Sequence, residues 1–202
     1  MTAPTGQGFS RGRFLAGAAG AAGVAAGGGW AGVELLSGQG ASGSLDDATP
    51  LALALALERL QSAFYAEAVS GGALDGELLD FATTAQNHEA QHAGLLTALV
   101  TGAPGEPEYD FGGDTADPDA FGDSAARLED LAVSAYNGLI PGLSRRGLAV
   151  ASRIVTVDAR HAAWVRAILG RDPAAAATDK ALNADQVIRR IRATGYLREA
   201  TP

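Results

Sequence analysis

An internal repeat of acids, tyrosines and histidines runs through this chain and limits the folds open to it. In each half, a Glu is followed seven residues later by a Tyr and about thirty residues later by an acid-x-x-His element: Glu58, Tyr65 and Glu89-x-x-His92 in the first half, and Glu129, Tyr136 and Asp158-x-x-His161 in the second. Chance similarity between two Ala-rich helices would match the leucines, but it would rarely match the acids and imidazoles as well. The repeat therefore predicts two copies of a helix pair related by a pseudo-twofold axis.

Apolar residues recur at helical spacing from residue 51 onward, and Gly and Pro separate the helical stretches. The connection from Gly102 to Phe121 is long, acidic and rich in Gly and Pro, with Tyr109 and Phe111 available to pack on the body. At about 3.3 Å per residue it could extend ~50 Å or more, further than the ~38 Å length of a 25-residue helix. Helices 2 and 3 can therefore run parallel.

This pattern predicts an all-α fold, a four-helix bundle with one long crossover between helices 2 and 3 and a short C-terminal helix. The five predicted helices span about residues 51–70, 76–101, 119–140, 145–170 and 183–194.

The acids and imidazoles of the repeat fall inside the apolar stripes of their helices. At ~100° per residue, Glu89 and His92 share a face with Leu96 and Leu99, and the other three helices show the same arrangement. Residues three apart on a helix lie on one face, so an acid-x-x-His element can offer both side chains to one ion. Four buried carboxylates would be costly without compensation, and two divalent cations would balance their charge. The six candidate metal ligands are Glu58, Glu89, His92, Glu129, Asp158 and His161.

The ligand types favour iron, or else manganese, although zinc accepts the same groups. We expect Glu58 and Glu129 to bridge or chelate the ions, because no Arg shares their helix faces. Asp158 stands where the pattern expects Glu, and its side chain is shorter by about 1.5 Å. This shortfall could loosen the second metal position, favour a single ion or be absorbed by a bridging water. We expect Tyr65 and Tyr136 to be core residues whose hydroxyl groups bond to ligand carboxylates.

Other interpretations of these residues remain open. Each acid-x-x-His element could instead form a structural or surface ion pair. The string His88-Glu89-x-x-His92 also matches the helical motif of zinc proteases. The repeat explains Glu89 and His92 without a protease, and we expect His88 to be a core or boundary histidine.

Several short strings together carry a resemblance to a known family: Leu57-Glu58-Arg59-Leu60 with Phe64-Tyr65, Asn87-His88-Glu89-Ala90-Gln91-His92, Tyr109-Asp110-Phe111, Leu128-Glu129-Asp130 with Ala135-Tyr136, Ala159-Arg160-His161-Ala162, and Asp179-Lys180-Ala181-Leu182. From about Leu51 to Arg192 the chain resembles the ferritin-like domain family that includes exported bacterial proteins and plant desiccation-related proteins. The resemblance implies a ferritin-like four-helix bundle with the potential for di-iron chemistry. It implies little about the substrate, because that family is functionally heterogeneous.

Residues 1–44 are typical of an export signal and linker, and we assign residues 45–202 to the bundle domain. The string Ser10-Arg11-Gly12-Arg13-Phe14-Leu15 opens an uncharged Ala/Gly run, which is the layout of an export signal. It resembles a twin-arginine signal, with Gly12 in place of the second arginine. We expect export to the periplasm, the cell envelope or the medium. The alternatives are an uncleaved membrane anchor and a disordered tail, and cleavage would fall near Ala41-Ser42-Gly43.

Composition narrows the remaining classes of function. The 202 residues include no Cys, which excludes a thiolate zinc site, an iron–sulfur cluster and a Cys nucleophile. The net charge of −8 argues against nucleic acid as a partner. Metal ions are the expected partners, a homodimer is left open, and membrane contact would occur only through an uncleaved N-terminal segment.

The leading hypothesis is an exported protein with a dinuclear metal centre that carries out metal oxidation or peroxide or oxygen chemistry. The alternative is a non-enzymatic, stress-protective or interaction protein with a degraded or weak metal site. Asp158 is the residue that divides the two hypotheses, since site loss often begins with such a substitution. The sequence leaves the catalytic residues unassigned.

Overall fold

The computed structural model describes residues 48–103 and 106–198, so the predicted signal at residues 1–44 lies outside the described residues. Within the described part the chain forms five α-helices and no strand, which confirms the all-α prediction. The helices are α1 (Ala48–Gly71), α2 (Gly76–Thr97), α3 (Pro118–Leu139), α4 (Arg145–Ile168) and α5 (Ala184–Ala193), with one turn of 3-10 helix at Ile140–Gly142. None of these helices is long and apolar enough to cross a membrane.

Capping side chains determine where three of the helices begin. Asp117 accepts a backbone N–H of α3 at 2.8 Å, and Pro118 follows it at the first helical position. Ser144 caps α4 in the same way, and Asn183 and Gln186 form a reciprocal capping box on α5. These polar groups satisfy N–H groups that have no partner within a helix. Because the caps are local in sequence, the three helices begin within one residue of the predicted positions.

The second helix is shorter than predicted and ends at Thr97 instead of residue 101. The N–H groups of Leu99 and Val100 both bond to the carbonyl of Leu96, at 2.9 and 3.0 Å, so the chain tightens into turns there. Gly102 follows with a φ of +65°, a left-handed conformation that ends the helical direction of the chain. The Ala, Leu and Val residues after position 97 suit a helix as well as a turn, so their composition did not reveal the earlier end.

Side-chain contacts fix the relative directions of the helices. Tyr65 bonds to Glu129 and Tyr136 bonds to Glu58, so residue numbers rise along α1 as they fall along α3, and the two helices are antiparallel. Contacts between α2 and α4 show the same reversal. Only residues 72–75 join α1 to α2, so this pair is an antiparallel hairpin as well. The second and third helices are therefore parallel, which confirms the long crossover between them.

The crossover returns along the bundle and packs on α1. Phe111 is buried, with its ring centroid 5.4 Å from that of Phe64 and 5.1 Å from that of Tyr196 beyond α5. The hydroxyl of Thr115 donates to Glu67 near the end of α1 at 2.7 Å. The crossover is thus attached to the helices by an aromatic contact and a polar contact.

Two apolar layers lie above and below the centre of the bundle. The Phe64 layer consists of Phe64, Tyr65, Phe81, Phe121 and Val165, and the Leu55 layer consists of Leu55, Leu96, Tyr136 and Ile154. On each of the four long helices, the acid of the repeat lies between a residue of one layer and a residue of the other. The acids are therefore enclosed along the bundle axis by closely packed apolar side chains.

Candidate metal centre

The structure brings all six predicted ligand residues together in the middle of the bundle. The four carboxylates are 0 % exposed, and the two imidazoles are almost fully buried. The six residues form two groups in which the ligand atoms lie within 4.8 Å of one another. The first group is Glu58, Glu89, His92 and Asp158, and the second group is Glu89, Glu129, Asp158 and His161.

Two residues, Glu89 and Asp158, belong to both groups. They come from α2 and α4, the helices that also supply the imidazoles. Glu58 and Glu129 each belong to one group only, a position that suits chelation of one ion. The shared positions are therefore those of the two acid-x-x-His elements, where each carboxylate can span two ions.

The first group surrounds the Nδ1 atom of His92. This atom lies 3.1 Å from Glu89 Oε2, 3.2 Å from Glu58 Oε2 and 3.5 Å from Asp158 Oδ1. Three carboxylate oxygens from three helices therefore converge on one imidazole nitrogen. Such an arrangement of nitrogen and oxygen donors around a small volume suits a divalent cation.

The second group surrounds the Nδ1 atom of His161. This atom lies 3.0 Å from Glu89 Oε1 and 3.6 Å from Glu129 Oε2, but neither contact has hydrogen-bond geometry. Both oxygens of Asp158 also lack a hydrogen-bond partner among the described residues. Buried polar atoms without partners are rare, and an ion is one of the groups that explain them. The donor atoms present thus fit a metal ion in chemistry, burial and placement.

A tyrosine hydroxyl holds one oxygen of each outer glutamate, as the sequence predicts. Tyr136 donates to Glu58 Oε1 and Tyr65 donates to Glu129 Oε1, both at 2.5 Å. The second oxygen of each glutamate faces the imidazole of its own group. Each tyrosine therefore orients a carboxylate toward the position that an ion would take.

Burial and mutual repulsion make three of the carboxylates resist ionisation. Burial, followed by the charge of Glu89, raises the pKa of Glu58 well above its usual value. Burial, followed by the charges of Glu58 and Glu89, does the same to the pKa of Asp158. The pKa of Glu129 is raised chiefly by burial. Glu89 differs, because its contacts with Glu58 and with the two imidazoles outweigh its burial and lower its pKa.

The two imidazoles are strong bases in this setting. Burial by itself would lower the pKa of His92, but hydrogen bonds and charges from Glu58 and Glu89 raise it to about 9. In the same way Glu129 and Glu89 raise the pKa of His161 to about 10, against the effect of burial. At neutral pH the metal-free cluster therefore holds protons on both imidazoles, and a metal ion has to displace them.

His88 has a role that the sequence did not reveal. Its Nδ1 lies 2.9 Å from Nε2 of His161, and the two rings stack with centroids 5.2 Å apart. Burial and the charge of His161 lower the pKa of His88, which favours the neutral form of His88 beside the more basic His161. His88 belongs to neither group. It holds the far side of the His161 ring, so that Nδ1 faces the carboxylates.

Gln61 is the second residue that sequence reasoning missed. It is 0 % exposed, and neither its Oε1 nor its Nε2 has a hydrogen-bond partner among the described residues. The sequence does contain a signal for this residue. Three residues after the repeated Glu, the first half has the polar Gln61, whereas the second half has Ala132 at the matching position.

Fold and site together define an all-α bundle with a buried carboxylate–histidine cluster. The sequence model of the ferritin-like domain matches residues 46–171, which is more than half of the chain. The chain therefore belongs to the ferritin-like domain family. The match spans the four long helices and all six candidate ligands, and it ends before α5. Among curated proteins, none matches this chain.

Proposed function

We propose that this protein binds two divalent metal ions, iron or else manganese, and uses them for metal oxidation or peroxide or oxygen chemistry. The observation that carries the proposal is the pair of overlapping groups that share Glu89 and Asp158. Two ions held by shared carboxylates can act as a unit, whereas two separate sites would act singly. Membership of the ferritin-like domain family supports the same class of centre.

Charge balance supports two ions rather than one. The cluster holds four carboxylates and two imidazoles. With the carboxylates ionised and the imidazoles neutral, two divalent ions bring the net charge of the cluster to zero. A single ion would leave two negative charges for protons on the cluster to balance, because uncompensated charges in an apolar environment carry a large desolvation cost.

The donor set supports iron or manganese over softer metals. Each group offers three carboxylates and one imidazole, so oxygen donors dominate. The chain has no Cys to provide thiolate. Hard oxygen donors with one imidazole suit iron and manganese, in keeping with the preference expected from the sequence.

The residues of the chain have separate tasks in this proposal. Glu58, His92, Glu129 and His161 would each hold one ion, and Glu89 and Asp158 would hold both. Tyr65 and Tyr136 fix the outer carboxylates, while the Phe64 and Leu55 layers exclude bulk water from the centre. When bound, two ions in the +2 state would supply one electron each, which reduces one hydrogen peroxide to two waters with the uptake of two protons.

Anaerobic titration of the full chain with Fe(II) tests this proposal. The titration is expected to saturate at two ions per chain, and added peroxide should be consumed at one molecule per two Fe(II) oxidised. Asp80→Asn on the exposed side of α2 is the matched control and should behave as wild type. Saturation followed by no loss of peroxide or dioxygen would contradict the chemistry but not the binding.

We also propose that residues 1–44 direct export, on the basis of the basic head and the uncharged Ala/Gly run. A reporter fused after Ser44 should reach the periplasm of a bacterial host. The double substitution Arg11→Lys with Arg13→Lys should keep it in the cytoplasm. Retention of the unchanged fusion in the cytoplasm would contradict export, and export of both fusions would contradict the twin-arginine route.

A further inference from the structure

The amide of Gln61 is a buried polar group that has no hydrogen-bond partner within residues 48–103 and 106–198. Both of its polar atoms lack hydrogen bonds among the described residues, although the side chain is completely buried. An unsatisfied amide in a protein interior destabilises the fold, so it is normally removed by substitution unless something binds it. The structure therefore points to a ligand for Gln61 that lies outside the described part of the chain.

The position of Gln61 on α1 directs it toward the metal centre. At ~100° per residue, Gln61 lies within about 60° of both Glu58 and Tyr65 on the helix circumference. Glu58 belongs to the first group, and the hydroxyl of Tyr65 reaches Glu129 of the second group. Gln61 lies between these two residues along the helix, so its amide is level with the space between the two groups.

The opposite helix presents apolar side chains at this level. The pairs Glu58 with Tyr136 and Tyr65 with Glu129 place Gln61 across from the middle of this stretch of α3. The repeat offset of 71 residues between α1 and α3 makes Ala132 the counterpart of Gln61. Ala132 is buried and has only a methyl group. Val133, the next residue of α3, is buried as well, so the α3 side chains at this level are apolar and offer the amide no hydrogen bond.

The imidazoles occupy the other side of the cluster. His92 and His161 come from α2 and α4, whereas α1 and α3 each supply one Glu and one Tyr. Each group provides four side chains, and iron or manganese in such sites commonly has further positions for small ligands. On the α1–α3 side, Gln61 is the uncharged polar side chain among the described residues that has no partner.

We propose that Gln61 binds the small exogenous molecule, such as water, peroxide or a small anion, that reaches the metal centre from the α1–α3 side. The Nε2–H group would donate to this molecule, and Oε1 would accept from it when it carries a proton. Gln61 is thus a positioning residue for the substrate of the proposed reaction and not a metal ligand. This inference rests on the proposed function, because it requires the metal centre to be loaded.

Azide binding to the iron-loaded, oxidised full chain tests the proposal. Gln61→Met keeps the size and shape of the side chain and removes its polar atoms, and Gln91→Met is the matched control on the exposed face of α2. A visible absorption titration gives the azide dissociation constant. Gln61→Met is expected to weaken azide binding by about 3- to 10-fold, the effect of one lost hydrogen bond. Iron content should be unchanged, and Gln91→Met should match wild type in both measurements.

Metal-free protein provides a second measurement that does not depend on activity. Because the amide has no partner within the described residues, Gln61→Met should melt at the same temperature as wild type or higher. If Gln61→Met fails to fold, the amide has a structural partner and the proposal is overturned; Gln61→Leu then checks that the failure is not specific to Met.

Three further outcomes would overturn the proposal. Unchanged azide affinity at unchanged iron content would remove the role of Gln61 and leave the proposed function intact. Loss of iron in Gln61→Met would make Gln61 a metal ligand instead. A wild-type chain that takes up no metal would overturn the proposed function and this inference together.

Discussion

Replacing Asp158 by Asn should stabilise the metal-free protein and weaken the metal-bound protein. Asp158 is buried, neither of its oxygens has a hydrogen-bond partner among the described residues, and burial and neighbouring acids raise its pKa well above the usual value. A carboxyl group with a raised pKa in the folded state adds stability only at acidic pH, and that stability is lost as pH rises through the folded pKa. At pH 7, well above the ordinary pKa of an aspartate, the buried Asp158 therefore opposes folding. Asn has the same shape without the charge, so the melting temperature of the metal-free variant should rise.

In the metal-bound protein the same substitution should instead lower the stability. The loss of metal-induced stabilisation should be larger for a residue that belongs to both candidate metal-binding groups than for a residue that belongs to one. A site with free metal at 100 times its dissociation constant stabilises the folded state by about 2.7 kcal/mol. Two sites then contribute ~5.4 kcal/mol, which corresponds to about 11–22 °C in a chain of this size. Asp158 belongs to both groups, so Asp158→Asn should lose all of this shift. Glu58 belongs to one group, so Glu58→Gln should lose about half.

Differential scanning calorimetry with and without Fe(II) under anaerobic conditions measures these shifts. Asp80→Asn, an exposed acid-to-amide change on α2, should retain the whole shift and show that the substitution type has no effect by itself. The reasoning is refuted if Asp158→Asn melts lower than wild type without metal and keeps its metal-induced shift. That result would make Asp158 a structural acid with no metal to hold.

Three further perturbations test other contacts. Tyr136→Phe removes the hydrogen bond to Glu58. Urea denaturation of the metal-free variant should show an unfolding free energy lower by about 1–3 kcal/mol. An unchanged unfolding free energy would show that the bond adds no net stability. Metal uptake at pH 7 should release at least two protons, because the pKa values of the two imidazoles are about 9 and 10 and any proton held by the buried Glu58 or Asp158 carboxyl group is released as well. As pH rises from 7 through these two pKa values, the metal-free protein should lose stability and bind metal more tightly. Proton release makes the heat of metal binding depend on the buffer, so calorimetric titrations with the same heat in every buffer would contradict it. Gly138→Ala should destabilise the protein by about 3 kcal/mol or more, because the added Cβ would lie 1.9 Å from the carbonyl oxygen of Leu182. Gly94→Ala has open space around the added Cβ and should stabilise the protein by about 0.5–1 kcal/mol. Equal effects of the two substitutions on the unfolding free energy would contradict the close approach at Gly138.

The sequence predicts the positions of the six candidate ligands because helical periodicity is local. An acid and a histidine three residues apart share a face whatever surrounds the helix. The repeat then implies that four such faces meet, and the structure brings them together. Caps such as Asp117 and Asn183 are equally local, which explains why the starts of the three capped helices were predicted within one residue.

Contacts between helices could not be predicted in the same way. Glu89 and Asp158 are shared by the two groups because of the rotation and tilt of α2 against α4, which no periodicity encodes. His88 lies one residue from Glu89 and therefore about 100° away on the helix. Its contact with His161 depends on how closely the two helices pack.

Gln61 is a different case, since a signal was present in the sequence. It is a polar residue on the apolar side of α1, where the second half of the repeat has Ala132. A mismatch between two repeats has meaning only once the buried and unpartnered state of the side chain is known.

The metal content of the purified full chain tests the central claim most directly. Protein prepared without chelators, and the same protein after anaerobic loading with Fe(II), would be measured by inductively coupled plasma mass spectrometry. The shared positions of Glu89 and Asp158 predict about two ions per wild-type chain after loading, and close to none in Asp158→Asn. A wild-type content far below one ion per chain, even after loading, would contradict the metal centre and favour a non-enzymatic bundle.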